Sequence, residues 1–261
     1  MTEGTVEDAV EDGGPEQRRG SESVRAVERA IDILEAFVGP PQGLKVVELE
    51  RRTGIARPTL YRLLRTLEKR HFIRQSSDPT RYELDYGVVS LANTWLRRVD
   101  FLGRSEPFIQ RLADEVGETV AVSLYRDGKR VYVREIPSAQ ALTFARGIGV
   151  TEPVYRGASG IAILASEAPE VIAATVAAAP AAERAWVRSE IEATQARGYA
   201  VSAGVIIPGA VSVAAPIIDA GGHVVGSVGA YGPALRITAD LIPRFGMRVR
   251  ECARLISAVL P

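Results

Sequence analysis

Apolar side chains recur at helical spacing along the first third of the chain. Five of them fall three or four positions apart near the start: Val24, Val27, Ile31, Leu34 and Val38. This spacing predicts an amphipathic helix, which the Gly-Pro-Pro run at 39–41 would end. A short helix over 46–52, a turn at TGIA and a longer helix over 57–70 follow.

The two later helices and the turn between them predict a helix-turn-helix. Four leucines share one face of the longer helix and are expected in the core: Leu60, Leu63, Leu64 and Leu67. The opposite face is basic and carries one aromatic residue, as a DNA-recognition helix would. Pro58 suits the first turn, where its missing N–H costs little. We predict base contacts from Arg57, Tyr61 and Arg62, and phosphate contacts from Thr59 and Arg65, with Pro58 in the same DNA-binding set.

A β-hairpin is predicted directly after the recognition helix. The stretch HFIRQSSDPTRYELD reads as strand, turn and strand, with Ser-Asp-Pro at the turn. We interpret this hairpin as a wing, with Arg81 at its tip contacting the DNA backbone or minor groove. A helix over 87–98 is expected to connect this module to the rest of the chain.

The second half of the chain alternates between strand and helix patterns. Strands are predicted over 119–125, 130–136, 142–146, 211–218 and 224–230, and helices over 107–116, 160–167, 182–197 and 238–259. Hairpins with helices packed on them indicate the α+β class. The predicted domains are an acidic tail over 1–20, a winged helix-turn-helix over 21–85, a linker helix over 86–104 and a C-terminal domain over 105–261.

The formal net charge is zero, but the charges are unevenly distributed. Residues 1–16 carry six acidic side chains and no Lys or Arg, whereas 17–105 carry 17 basic and 11 acidic residues. The remaining residues hold 15 of each sign. This asymmetry predicts that the first module binds a polyanion and that 1–20 are disordered.

Several classes of function lack the residues that they require. Cys252 is the only cysteine and there are two histidines, so no disulfide, metal or other cofactor is expected. No secretory signal and no apolar run of membrane-spanning length is found, so we expect no membrane partner and a cytoplasmic location.

The segment PVYRGASGIAIL could be a catalytic serine elbow, a phosphate-binding loop or the wall of a binding pocket. A serine elbow requires a second glycine where Ile161 stands, and no histidine lies near in sequence to act as a base. A phosphate loop requires a Gly-Lys pair that does not follow Gly157. We therefore predict that the chain is not an enzyme. A hydrolase using Ser159 and an architectural DNA-binding protein without a ligand are the alternatives.

Two groups of segments resemble the IclR-type transcriptional regulators. The first group is SVRAVERAIDILEAF, ELERRTGIARPTLYRLLRTLEKRHFI and RYELDYGVVSLA; the second includes VGETVAVSLYRDGKRVYV, ARGYAV and AAPIIDAGGHVVGSVGAYGP. The resemblance implies a winged helix-turn-helix joined by a linker helix to a GAF-like sensor, an antiparallel sheet of six strands with flanking helices. It also implies operator DNA as a partner, a small organic effector, and a homodimer or homotetramer.

The chain departs from that family's pattern at several positions. Val47 stands where a Ser or Thr often caps the second helix, so this cap is predicted to be lost. Tyr155 replaces a common His, Ser212 a common Cys, and SAGVII an acidic run that often follows GYAV. Gly229-Ala230-Tyr231 replaces a polar Ser-x-Ser. These changes predict a less polar pocket and an aromatic or alicyclic carboxylic acid as effector.

The three alternatives for PVYRGASGIAIL thus narrow to a binding pocket. The free N–H groups and the dipole of a helix start suit an anion, so this segment is interpreted as the carboxylate end of the pocket. The predicted effector contacts are Tyr155, Ala158, Ser159, Gly160, Ser212, Gly229 and Tyr231. A tight packing turn without a ligand remains the alternative interpretation.

Overall fold

The computed structural model describes residues 24–39, 42–98 and 101–260. The predicted acidic tail over 1–20 therefore lies outside the described residues, as do the two prolines expected to end the first helix. The chain divides into two compact units, with the boundary between Asn93 and Thr94.

The first unit combines helices with a small antiparallel sheet. Its elements are α1 (Arg25–Ala36), β1 (Leu44–Lys45), α2 (Val46–Thr53), α3 (Arg57–Lys69), β2 (Ile73–Gln75), β3 (Arg81–Leu84) and the start of α4 (Tyr86–Arg98). The three strands pair in the order β1-β3-β2. Buried Ile33, Leu49, Leu60 and Leu64 join the helices into one core, so the winged helix-turn-helix predicted from the sequence is confirmed.

The apolar stripe predicted along α1 faces outward. Val24, Val27, Ile31 and Val38 are all exposed, at 65, 56, 49 and 61 % of their surface. The core takes the other side of the helix, through Ile33 and Phe37 with Ala30 and Leu34 beside them. The spacing correctly indicated a helix, but most of the stripe does not pack inside this unit.

Helix α2 begins at Val46, so Val47, where a capping residue was expected, lies inside the helix. Its N-cap is Lys45, not Val47. The N-cap side chain makes no capping hydrogen bond, so the predicted loss of a side-chain cap agrees with the structure. The side chain of Glu48 instead accepts a hydrogen bond from the Lys45 N–H at 2.7 Å. The helix ends at Gly54, whose φ of 66° is left-handed and favours glycine.

The second unit is a six-stranded antiparallel sheet between helices. Its elements are the end of α4, then α5 (Phe101–Val116), β4 (Thr119–Arg126), β5 (Lys129–Ile136), β6 (Thr151–Pro153), α6 (Gly157–Leu164), α7 (Pro169–Ala178), α8 (Arg184–Arg197), β7 (Ala200–Ala203), β8 (Ala210–Ile218), β9 (Val224–Pro233) and α9 (Ile242–Ser257). The strand order is β6-β5-β4-β9-β8-β7. This sheet and its helices confirm the predicted α+β class.

Helices cover both faces of this sheet. Side chains alternate along strands, so Val120 and Val213 point to one face, where they pack with α5 and α9. Helix α6 packs on the other face together with α8. Tyr132 and Tyr231 also lie on this second face.

The strand predicted over 142–146 is not formed. Its backbone groups bond to side chains instead of to a neighbouring strand: Phe144 O accepts from Thr119 Oγ1 at 2.7 Å, and the Arg146 N–H donates to Glu135 at 2.8 Å. The third strand of this region is β6, further along. Residues 101–104, assigned to the linker from the sequence, form the first turn of α5, and α7 and β7 were not predicted.

Candidate functional site

The recognition helix α3 presents its predicted DNA-contacting face to solvent. Leu60, Leu64 and Leu67 are buried beneath it, as their spacing predicted. The side chains of five predicted contacts are exposed, namely Arg57, Pro58, Tyr61, Arg62 and Arg65, while Thr59 is half-buried. Pro58 is the second residue of the helix, where a backbone N–H is not needed.

Two of the predicted DNA contacts are engaged within the unit itself. The Arg57 Nε donates to Glu50 Oε2 at 2.8 Å, and this pairing raises the pKa of Arg57 above its usual value. Arg81 is not at the tip of the wing. It starts strand β3 and its Nη1 donates to the carbonyl oxygens of Gln42 and Gly43, at 3.3 and 2.9 Å. The side chain of Arg81 thus turns back onto the loop before β1, and its contact with DNA stays a prediction.

The second unit corresponds to the sensor predicted from the sequence and is called the sensor unit below. It contains a pocket between the N-terminus of α6 and the second face of the sheet. A row of side chains runs across three strands there, since Ser202 pairs with Ser212, and Ser212 with Tyr231. The space between protein atoms is about 410 Å³, part of it open to solvent. It is lined by Arg130, Tyr132, Arg146, Gly157, Ala158, Ser159, Ser202, Gly204, Val205, Ile206, Ile207, Ala210, Ser212 and Tyr231.

Arg130 is a buried cation in this pocket. It belongs to β5 and only 1 % of its surface is exposed. Its Nε and Nη1 have no hydrogen-bond partner among the described residues. The guanidinium carbon lies 4.8 Å from the centre of the Tyr132 ring, two residues along the strand on the same face.

The other charged groups around the pocket are paired. Arg146 forms an ion pair with Glu152, and Glu135 accepts a hydrogen bond from the Tyr231 hydroxyl. Burial and the neighbouring Glu135 carboxylate raise the pKa of Tyr231 well above its usual value, so it stays protonated. The polar end of Tyr231 is therefore occupied, and its ring is left to the pocket.

The N-terminus of α6 opens onto the same space. The helix starts at Gly157, whose φ of 72° is left-handed. A Cβ at this position would lie 2.6 Å from Ile206 Cδ1 and 3.4 Å from Arg130 Nη2. Glycine therefore lets the guanidinium and the loop over 204–209 approach the first turn of the helix closely.

Four of the seven predicted effector contacts lie together in this pocket: Ala158, Ser159, Ser212 and Tyr231. The other three do not line it. Tyr155 packs half-buried against the core under α6. Gly160 touches the backbone of Val154, where a Cβ would lie 2.5 Å from the carbonyl oxygen, and Gly229 lies beneath Ser159. Gly160 and Gly229 thus serve close packing, and their contact with the effector stays a prediction.

Sequence reasoning missed the most charged part of the pocket. Arg130, Tyr132 and Arg146 were not among the predicted contacts, and neither was the apolar loop Val205–Ile207. The alternation KRVYV in β5 places Arg130 and Tyr132 on one face of the strand, and an arginine within a buried strand was the available signal.

Metal binding and membrane insertion are two further functions that the part of the chain described by the structure bears on. No three His, Cys, Asp or Glu side chains come close enough together there to hold a metal ion. Across the same residues, every helix is too short or too polar to span a bilayer.

A winged helix-turn-helix with an exposed basic recognition helix, together with a pocketed sensor unit, defines a ligand-responsive DNA-binding regulator. Comparison with known families agrees. The profile described as "Bacterial transcriptional regulator IclR C-terminal" matches residues 93–258, and "IclR helix-turn-helix domain" matches 26–77. The chain therefore belongs to the IclR family of transcriptional regulators.

Relatives extend over nearly the whole chain. The transcriptional repressor AllR of Klebsiella pneumoniae is 25 % identical over 95 % of this chain and 94 % of its own length. The glycerol operon regulatory protein of Streptomyces griseus is 26 % identical, over 90 and 96 %. The crystal structure of an IclR homolog from Microbacterium hydrocarbonoxydans, complexed with 4-hydroxybenzoate, shares the fold with a TM-score of 0.76 at 19 % identity, over 89 % of this chain and 98 % of that one.

Proposed function

We propose that this transcriptional regulator senses a cyclic carboxylic acid in its sensor unit and that the acid changes its affinity for operator DNA. The observation that carries the proposal is the lining of the sensor pocket. It combines the apolar loop Val205–Ile207 and the rings of Tyr132 and Tyr231 with a cationic end. Such a pocket suits a ligand with an apolar body and one anionic group.

The apolar part of the pocket lining favours a ring over a two- or three-carbon acid. A short acid such as glyoxylate would leave the wall formed by Val205, Ile206 and Ile207 without contacts, whereas a ring covers apolar surface. The structural relative from Microbacterium hydrocarbonoxydans that is complexed with 4-hydroxybenzoate supports this class of effector.

A thermal-shift panel tests the effector class. It compares benzoate, 4-hydroxybenzoate and cyclohexanecarboxylate with glyoxylate and pyruvate. We expect the cyclic acids to raise the melting temperature, because a ligand that binds only the folded protein stabilises it. Stabilisation by glyoxylate or pyruvate and by no cyclic acid would contradict the proposal.

On the DNA side, we propose Arg62 as the principal base reader. It is exposed on the first turns of α3, beside Tyr61, whereas the guanidinium of Arg57 is engaged with Glu50. Thr59 and Arg65 flank this face and are proposed as phosphate contacts.

Substitution of Arg62 tests this assignment. Arg62→Ala is expected to weaken operator binding by about 1–3 kcal/mol relative to random DNA, if the side chain reads a base bidentately. Fluorescence anisotropy with both duplexes at one salt concentration measures the difference. Arg188→Ala removes an exposed charge from α8 and serves as the control. An equal loss on both duplexes would make Arg62 a phosphate contact.

We also propose that the regulator is at least a homodimer and that the exposed apolar face of α1 joins two copies. A contiguous apolar face marks an interaction surface. A second copy is the fitting occupant, because helix-turn-helix proteins read two-fold operators as dimers. Tyr86, Val89 and Leu91 of α4 are further exposed apolar residues of the same unit.

No catalytic role is proposed for this chain. Ser159 lies in the pocket, and no histidine is among the described residues that line it. Since its partner is promoter DNA, we propose the cytoplasm as its location.

A further inference from the structure

We infer that Arg130 is the residue that holds the effector's carboxylate, and that it makes the sensor unit selective for anions over neutral molecules of the same shape. This inference rests on the proposed function, because it concerns the same pocket. Arg130 lies in strand β5, outside the segment from which an anion site was expected.

Burial of the Arg130 guanidinium costs free energy that an anionic ligand would offset. A guanidinium that is withdrawn from water without a partner is unfavourable, and buried charges are normally paired. Arg130 is 99 % buried, and its Nε and Nη1 have no partner among the described residues. Its neighbour across the ladder is Glu152, whose carboxylate is paired with Arg146.

The groups around the pocket make its electrostatic potential positive next to Arg130. The N-terminus of α6 carries a partial positive charge and unpaired N–H groups. The guanidinium of Arg130 lies beside it, 3.4 Å from where a Cβ of Gly157 would be. Two positive groups thus point into one space, and none of the residues lining it is Asp or Glu. An anion in that space would be attracted to both.

The Tyr132 ring fixes the position of the Arg130 guanidinium. Its central carbon lies over the Tyr132 ring, 4.8 Å from the ring centre, and Tyr132 is 95 % buried. The nearby loop offers the side chains of Val205, Ile206 and Ile207, which cannot neutralise it. A planar fork of donors at a fixed position matches the two oxygens of a carboxylate.

These contacts assign the ligand's parts. The carboxylate lies between the Arg130 guanidinium and the first turn of α6, within reach of Ser159. The body of the ligand lies against the apolar loop and the ring of Tyr231. A neutral amide of the same shape fills the same space but leaves the cation without a counter-charge.

The test compares each acid with its own amide by calorimetric titration, in the absence of DNA. The probes are benzoate with benzamide, 4-hydroxybenzoate with its amide, and cyclohexanecarboxylate with its amide. The wild-type protein is expected to bind at least one acid about ten- to a hundredfold more tightly than the matched amide, the range of a charge-assisted hydrogen-bonded pair. Arg130→Gln is expected to bring that ratio close to one.

Two further variants keep the result interpretable. Arg134→Gln removes a charge from the same strand, where the side chain is paired with Glu106, and is expected to keep the wild-type ratio. Arg130→Lys keeps the positive charge but not the planar pair of donors, so we expect it to prefer the acid less strongly than the wild type does. If Arg130→Gln does not fold, the acid-to-amide ratio of Arg130→Lys tests the inference instead.

The ligand-free stability separates this role from a structural one. Because the Nε and Nη1 of Arg130 have no partner among the described residues, Arg130→Gln is expected to leave the melting temperature unchanged or to raise it. An unchanged acid-to-amide ratio in Arg130→Gln, or wild-type protein that binds no acid better than its amide, would overturn the inference. In either case the wild-type protein would still bind operator DNA. A failure of this inference is therefore distinguishable from a failure of the proposed regulatory function.

Discussion

The conformation and contacts of single glycines decide which residues of PVYRGASGIAIL line the pocket. Gly157, Ala158 and Ser159 face the pocket, whereas Gly160 faces the backbone of Val154. The first three residues of α6 therefore line the pocket, and the fourth packs against the chain.

The space around each glycine predicts opposite effects of an added side chain at two helical glycines of the sensor unit. A Cβ at Gly160 would meet Val154 O at 2.5 Å, so Gly160→Ala is expected to destabilise the unit by about 1–3 kcal/mol through overpacking. A Cβ at Gly103 in α5 meets nothing within 4 Å, so Gly103→Ala is expected to stabilise it by up to about 1 kcal/mol.

Denaturant unfolding of the two variants beside the wild-type protein measures both effects. If Gly160→Ala unfolds at the wild-type denaturant concentration, the close contact with Val154 does not constrain the segment. The Gly103 variant shows whether any replaced glycine in a helix has the same effect.

At the scale of elements, local signals identified most helices and hairpins. The leucines of α3 matched the structure because the helical period and the burial agree there. Strands β8 and β9 were found because their apolar runs lie on either side of the DAGG turn. The segment over 142–146 misled, because its apolar residues suggested a strand while Glu135 and Thr119 supply its hydrogen bonds. Those partners are distant in sequence, so no local pattern reports them.

Helix α1 shows the same limit in another form. Its spacing identified the helix, but period alone does not say whether a stripe faces the unit's own core or a second copy. Four apolar residues of the stripe are exposed, and a partner helix would cover them.

The predicted interface is tested by a charge in its middle. Ile31 is 49 % exposed, so Ile31→Asp is tolerated by the fold but would have to be desolvated in a dimer. Size-exclusion chromatography with light scattering is expected to show a shift toward the monomer. Asp32→Asn, at an exposed position about 100° around the same helix, should leave the mass unchanged. A wild-type mass for Ile31→Asp would place the interface elsewhere.

At the scale of the whole molecule, the sequence was sufficient for the architecture and the class of function. The charge asymmetry and the order of motifs identified the DNA-binding module and the sensor. The pocket was only half predicted, because its contacts come from β5, β7, β8, β9, α6 and the loops between them. Arg130 and Ser159 are 29 positions apart in sequence, and only the folded sheet brings them to one space.

The central claim is that a cyclic carboxylic acid bound at Arg130 changes the affinity for operator DNA. Coupling of this kind requires that the acid bind the DNA-competent and the DNA-incompetent states differently. The direct measurement is fluorescence anisotropy of a labelled duplex from the promoter that the regulator controls, titrated with protein at increasing concentrations of the acid.

We expect the acid to change the Kd for this duplex by about fivefold or more in the wild-type protein, the usual range of allosteric coupling. Arg130→Gln is expected to bind the duplex with no response to the acid. A wild-type Kd that stays constant while the acid is bound, or an Arg130→Gln protein that responds like the wild type, would contradict the account.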